Sequence, residues 1–216
     1  MKPAAVLFDC DGVIVDSEGI GIDHLAEALA RVGLVLDRAG VAALFVGKTL
    51  PGVARLLAAK GYLTTEDWVR LTYDGLYQKL AEGTPLIEGV EAVFDALDAV
   101  GIAYAVGSNG EMRKMHTTLT QHPRIWTRVK DHLYSAQTLG FPKPDPGVYL
   151  HAAAALGVDP RACVVIDDSP SGCKAGVAGG IRTLGFAEQG DGAALAQVGA
   201  EVFHRMDALP QLLGLA

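Results

Sequence analysis

The sequence predicts an α/β fold, a Rossmann-like parallel sheet core with an inserted small helical cap domain. Three observations predict it. Short apolar runs recur at 4–8, 103–107, 133–135, 162–166 and 182–186, with a weaker one at 201–203, and most close on a polar or glycine residue. Stretches of helical periodicity separate the later runs, at 90–100, 113–122, 147–156 and 171–179. Strands buried on both faces read as continuous apolar runs, and their alternation with helices makes βαβ units. Between 17 and 85 this alternation stops. That interval holds helical patterns at 22–32, 38–44, 53–59 and 66–80, punctuated by Gly33, Gly47, Pro51, Gly52, Gly61, Gly83 and Pro85.

Taken in order, the run at 4–8 is too short for a signal-peptide core or a bilayer span, and it ends at Asp9. It therefore reads as the first core strand. Roughly 70 residues of helix directly after a strand exceed an ordinary crossover. Residues 17–85 are accordingly expected to form the cap, with hinges near 16–17 and 85–89, and residues 1–16 and 86–216 the core. The run at 133–135 is short enough to be an edge strand or a loop. No internal repeat or low-complexity tract interrupts the chain.

Composition narrows the class. A chain of 216 residues, 50% hydrophobic, can bury enough surface to offset its ordering entropy, which excludes a disordered tail. It carries 25 acidic against 18 basic side chains, a net charge of −7, and no basic block, a poor basis for binding nucleic acid. Its three cysteines are scattered and form no Cys-x-x-Cys pair, which argues against a disulfide scaffold or zinc site. The expectation is a cytoplasmic protein without a membrane partner, acting as a monomer or weak dimer.

Ligands of open parallel sheets bind at the carboxyl ends of strands. The first strand ends in Asp9-Cys10-Asp11-Gly12, the second in Gly107-Ser108-Asn109-Gly110 and the fourth in Asp167-Asp168-Ser169; Lys143 lies between two prolines before the 147–156 helix. Each alone has an ordinary reading, as a helix cap, a turn residue or a solvated lysine. Together they describe a phosphoryl-transfer site. Asp9 offers a carboxylate nucleophile for phosphorus. Asp11 is placed to protonate the departing oxygen and later deprotonate water. Asp9, Asp11, Asp167 and Asp168 supply hard oxygen ligands for Mg2+, which would neutralise an approaching phosphate. Lys143 and Ser108, with Asn109 beside it, are candidates for holding phosphoryl oxygens. Gly12 permits a sharp turn. Trp68 and Trp126 read as packing residues, Cys10 as a small buried one, and the six histidines lack metal-ligand spacing.

The ordered set Asp9-x-Asp11-Gly-Val, Ser108-Asn109, Lys143-Pro144 and Asp167-Asp168-Ser169 resembles the four motifs of the haloacid dehalogenase-like phosphohydrolases over nearly the whole chain. The insertion between the first two motifs resembles that family's α-helical cap. Within the family, Asp-Gly-Val-x-Val-Asp-Ser-Glu and Lys-Pro-Asp-Pro look most like phosphoglycolate phosphatases, small sugar-phosphate phosphatases and β-phosphoglucomutases. Stretches 134–136 and 147–151 resemble bacterial phosphatases of the 6-phosphogluconate type. The resemblance implies Asp9 as nucleophile, Asp11 as acid/base, and Asp9, the Asp11 carbonyl and Asp168 on Mg2+. Two departures stand out. Asp167 replaces a frequent Glu, leaving open whether it ligates metal directly, and Gly110 replaces a frequent hydroxyl residue.

The implied activity is a Mg2+-dependent phosphatase acting on a small phosphorylated metabolite through an aspartyl-phosphate on Asp9. A phosphomutase is the alternative, but Leu50 stands where related mutases grip a second phosphate with Arg, and 19–22 lacks their His. A receiver-like signalling module would lack the helical insertion, and a non-enzymatic sugar-phosphate binder would not need Asp11. Cap residues Ser17, Glu18, Lys48, Thr49 and Arg70 are candidates for substrate contact. Ser17 is equally a helix cap, and Lys48 and Arg70 equally solvated surface.

Overall fold

Four consecutive apolar residues form β1 (Ala5–Phe8), and every one is buried. The chain is described in a computed structural model over residues 2–45 and 49–215. The other strands are β2 (Ala103–Ser108), β3 (Leu133–Ser135), β4 (Cys163–Asp167), β5 (Arg182–Phe186) and β6 (Glu201–Phe203). They make one six-stranded sheet in the order β3-β2-β1-β4-β5-β6. Every pairing is parallel, with Leu7 opposite both Ala105 and Val165. The run at 133–135 is an edge strand, in register with Val106–Ser108 of β2. The chain runs outward from β1 to β3, then crosses back to place β4 on the other side of β1. That reversal opens a crevice at the carboxyl ends of β1 and β4.

Two units divide the chain: Met1–Asp16 with Pro85–Ala216, and Ser17–Thr84. Pro85, assigned to the insertion on sequence, falls in the first unit, where its carbonyl accepts from Asp16 N at 2.9 Å. This core unit holds α5 (Val90–Ala99), α6 (Met112–Leu119), α7 (Pro123–Val129), α8 (Ala136–Leu139), α9 (Gly147–Ala155), α10 (Pro170–Ala178), α11 (Ala193–Gln197) and α12 (Leu209–Leu212). The period at 113–122 corresponds to α6, and α7 follows it as a separate helix. Four of these helices, α7, α8, α11 and α12, span at most seven residues, too few turns for a period to show in sequence.

Strand alternation distributes the core over both faces of the sheet. Val6, Phe8, Val164 and Ile166 join Val90, Phe94, Leu97 and Met115 on one face. Ala5, Leu7, Cys163 and Val165 meet Val148, Tyr149, Ala152 and Ala175 on the other. The Phe8 and Phe94 rings stack at 5.0 Å, and Tyr104 meets Phe94 edge-on at 5.0 Å.

The second unit holds α1 (Glu18–Arg31), α2 (Arg38–Phe45), α3 (Leu50–Ala58) and α4 (Glu66–Glu82). Its core gathers Leu29, Val41, Val53 and Leu57, and Trp68 packs against it while donating Nε1–H to the Ala28 carbonyl at 3.1 Å. Thr49 and Thr65 cap α3 and α4 by accepting from Gly52 N and Trp68 N. No single helix among the described residues is long and apolar enough to cross a membrane.

Phe94 is fully buried between two aromatic neighbours. Phe94→Ala is expected to cost about 3–5 kcal/mol of core stability, read as a lowered urea midpoint with the denaturant slope unchanged.

Candidate active site

Asp9 is the first residue beyond β1, and its backbone N–H donates to the Ile166 carbonyl of β4 at 2.8 Å. Asp167 is the last residue of β4. Adjacent parallel strands thus place two acids side by side, and Asp168 completes the group. One carboxylate oxygen from each of Asp9, Asp167 and Asp168 lies within 4.8 Å of the others.

Lys143 is the counter-ion inside this group. Its side chain is 2% exposed, and its ammonium reaches Asp9 Oδ1 at 2.5 Å, Tyr149 Oη at 2.7 Å and Asp167 Oδ2 at 2.8 Å. Those three acceptors match its three N–H donors. Burial opposes the charge on Lys143, but Asp167 and Asp9 overcome it and raise the pKa above the ordinary lysine value. Tyr149, on the first turn of α9, donates its hydroxyl to Asp167 Oδ2 at 2.5 Å. Asp167 Oδ1 accepts from Ser169 N at 2.9 Å and Ser169 Oγ at 2.8 Å. Asp167 therefore has four protein donors and no solvent exposure.

Two glycines make room for these carboxylates. A Cβ on Gly172, in α10, would overlap the Asp167 carboxylate, and a Cβ on Gly12 would overlap that of Asp168. Gly12 also has φ +77, a conformation that disfavours any other residue. Ser169 turns the chain from β4 into α10 by accepting from Gly172 N at 3.0 Å.

The loops from β2 and before α9 are tied by Asn109. Its Oδ1 accepts from Lys143 N at 2.8 Å and its Nδ2 donates to the Lys143 carbonyl at 3.3 Å. The side chain assigned to phosphate on sequence is thus a clamp on the Lys143 backbone. Ser108 is buried at the end of β2, where its Oγ accepts from Gly110 N at 2.9 Å. Asp11 pairs with Lys114 of α6 at 2.8 Å, with both side chains about one quarter exposed.

The core therefore brings Asp9, Asp11, Ser108, Asn109, Lys143, Asp167 and Asp168 to one end of the sheet. Tyr149 and Lys114 also belong there, and sequence reasoning missed them because they sit on helices rather than at strand ends. A hydroxyl within an alanine-rich helix, where His151 is the other polar side chain, was the available signal for Tyr149. In the helical unit, Ser17 precedes α1 without a side-chain capping bond, and Glu18 begins that helix. Thr49 caps α3, and exposed Arg70 pairs with Asp67 at 3.1 Å and Asp74 at 3.7 Å. Lys48, with Gly47, lies outside the described residues.

The donor set fits a hard divalent cation. Its ligands are carboxylate oxygens, and three carboxylates against one ammonium leave an excess of two negative charges. The same excess acts on Asp9. Burial foremost, opposed by Lys143 and reinforced by Asp167 and Asp11, raises its pKa from 3.8 to about 7.

A family model described as haloacid dehalogenase-like hydrolase matches residues 3–180. The 6-phosphogluconate phosphatase of Escherichia coli K12 is 27% identical over 209 residues, covering 96% of this chain and 93% of that protein. Hexitol phosphatase B of the same organism is 28% identical over 183 residues, 83% of this chain and 82% of the relative. Among solved structures, a HAD family hydrolase from Deinococcus radiodurans R1, with bound phosphate and sodium, superposes with a TM-score of 0.84. It is 33% identical, covering 99% of this chain and 97% of its own.

The raised pKa of Asp9 makes metal-free stability depend on pH. A carboxyl that holds its proton more tightly when folded contributes stability below about pH 4 and loses it as pH rises towards 7. Asp159, Glu201 and Asp207 are shifted downward and act in the opposite sense, at more acidic pH. In EDTA, the Asp9 contribution should lower the melting temperature from pH 5 to pH 8, and Asp9→Asn should flatten that slope. A divalent cation should raise the melting temperature more at pH 8 than at pH 5. Scanning calorimetry measures each.

Proposed function

The chain belongs to the haloacid dehalogenase-like hydrolases, and from that membership we propose that it is a phosphatase hydrolysing a small sugar phosphate or similar metabolite through Asp9. The observation that carries this reading is the Asp9 carboxylate, held at the carboxyl end of β1 by the buried Lys143 ammonium within a three-acid group. The similarity to 6-phosphogluconate and hexitol phosphatases supports the substrate class.

In the proposed reaction an Asp9 carboxylate oxygen attacks phosphorus and the ester P–O bond breaks. The departing oxygen takes a proton from Asp11, and the covalent intermediate on Asp9 splits one difficult displacement into two easier ones. Water then gives a proton to Asp11 and attacks the phosphoryl group, and the Asp9–phosphorus bond breaks to release phosphate. Ser108 orients a phosphoryl oxygen, and Lys143, bonded to Asp9, lends its positive charge to the entering phosphate, while Asn109 fixes the Lys143 backbone. A magnesium ion, held by Asp9, Asp168 and the Asp11 backbone carbonyl, would offset the negative charge of the phosphate when bound. Asp167, with its four protein donors, serves the site by holding Lys143, Tyr149 and Ser169 in place.

We read residues 1–16 and 85–216 as the catalytic core and 17–84 as the family's cap domain. The cysteines Cys10, Cys163 and Cys173 are unpaired and buried, which suits a reducing cytoplasm. Burial above all raises the Cys10 thiol well above its usual pKa, so its place between Asp9 and Asp11 does not make it a nucleophile.

Wild-type protein should hydrolyse 4-nitrophenyl phosphate and at least one member of a sugar-phosphate panel, with EDTA abolishing and Mg2+ restoring release of inorganic phosphate. Asp9→Asn should lose about 1,000-fold or more in kcat, in keeping with removal of a covalent nucleophile. Full activity in Asp9→Asn, or turnover indifferent to EDTA, would overturn the mechanism. Accumulation of an isomerised sugar phosphate without inorganic phosphate would identify a mutase.

A further inference from the structure

Among the described residues, Lys114 is a cation at the site that the proposed reaction leaves without a task. It sits on the first turn of α6, which follows the Ser108–Asn109 loop, and its ammonium meets Asp11 Oδ1 at 2.8 Å. Burial opposes its charge, but Asp11 and the nearby acids raise its pKa above the ordinary lysine value. The other Asp11 oxygen points elsewhere. Oδ2 lies 3.4 Å, and Ser108 Oγ 3.2 Å, from the point that a Cβ on Gly110 would occupy. The absent side chain at Gly110 thus leaves a corner bordered by the proposed acid/base and the proposed phosphoryl-orienting hydroxyl. Lys114 Cδ borders the same corner at 3.7 Å.

We propose that Lys114 is the positioning residue for Asp11, holding Oδ1 so that Oδ2 faces the corner beside Ser108 where the leaving-group oxygen is protonated. This rests on the phosphatase reading above. An ammonium bonded to Oδ1 fixes that oxygen, so the carboxylate presents Oδ2 to the corner. It also removes the rotational freedom of a short carboxylate. Proton transfer depends on a heavy-atom approach of about 2.6–3.2 Å, so that freedom would translate directly into rate.

The test is single-turnover rapid-quench kinetics on the full chain with saturating Mg2+, comparing 4-nitrophenyl phosphate with the sugar phosphate the wild type turns over fastest. A nitrophenolate departs without needing a proton, whereas a sugar alkoxide does not. Lys114→Met should slow phosphoryl transfer from the sugar phosphate about 10-fold or more, and from 4-nitrophenyl phosphate less than about 3-fold. Lys114→Arg should restore most of the lost rate. In an Asp11→Asn background, Lys114→Met should add no further loss.

Equal slowing of both substrates, an unchanged rate, or additivity with Asp11→Asn would overturn the proposal. Should Lys114→Met melt substantially below wild type, Lys114→Gln replaces it in the same comparison. The two readings fail separately. An Asp9→Asn protein with full turnover defeats the phosphatase mechanism, whereas an inactive Asp9→Asn beside an unaffected Lys114→Met defeats only the role of Lys114.

Discussion

A lysine ammonium with almost no solvent exposure is the constraint around which the site is built. Desolvating a charge is tolerated only when it is paired and its hydrogen-bonding capacity is filled. Lys143 meets both conditions with Asp9, Asp167 and Tyr149. Each partner comes from a different element: the end of β1, the end of β4 and the first turn of α9. The buried cation therefore joins two strands and a helix at one point, and Asn109 adds the β2 loop by holding the Lys143 backbone. Removing Lys143 would leave Asp9 and Asp167 buried without their counter-ion, so both carboxylates depend on this one side chain.

Close packing of carboxylates then imposes conditions on the backbone around them. Asp167 rests on Gly172 and Asp168 on Gly12, and at both glycines a methyl group would occupy the space of the carboxylate. Ser169 serves two purposes in this crowding, capping α10 and donating to Asp167. The sheet topology supplies the remainder. At the reversal between β1 and β4, neighbouring parallel strands lead into separate loops on opposite faces. The acids meet there because each is the residue at or just past the end of one of those two strands.

Legibility in sequence followed the same division. Strands buried on both faces announce themselves as apolar runs, and residues at their ends can be read off directly, which is how Asp9, Asp11, Ser108, Asp167 and Asp168 came to notice. Lys143 was visible through its flanking prolines. Tyr149 and Lys114 were hidden because a helix spreads its polar positions over all faces, and one sequence does not say which face meets the strand ends. The part Asn109 plays in tying two loops together was hidden for a related reason. Its side chain bonds to the backbone of a residue 34 positions away, a contact that exists only once the two loops are adjacent. The short helices α7, α8, α11 and α12 lack the turns to establish a period.

Four chemically identical side chains take different parts at this rim, and their partners decide which. Asp167 is enclosed by Lys143, Tyr149 and Ser169, so both of its oxygens are committed to holding protein groups. Asp11 has an ammonium of its own and is partly open to solvent, an arrangement suited to a group that exchanges protons with substrate and water. Asp9 shares Lys143 with Asp167, so one positive charge serves two carboxylates, with Asp168 alongside. Burial above all, with this electrostatic deficit added to it, makes Asp9 hold a proton up to about pH 7 in the absence of a cation. A carboxylate in that state is a poor nucleophile, because the proton occupies the electron pair that must reach phosphorus. Adding a divalent charge beside it reverses the balance, so the negative excess that weakens the metal-free site is also what would draw in the ion and free Asp9 to react.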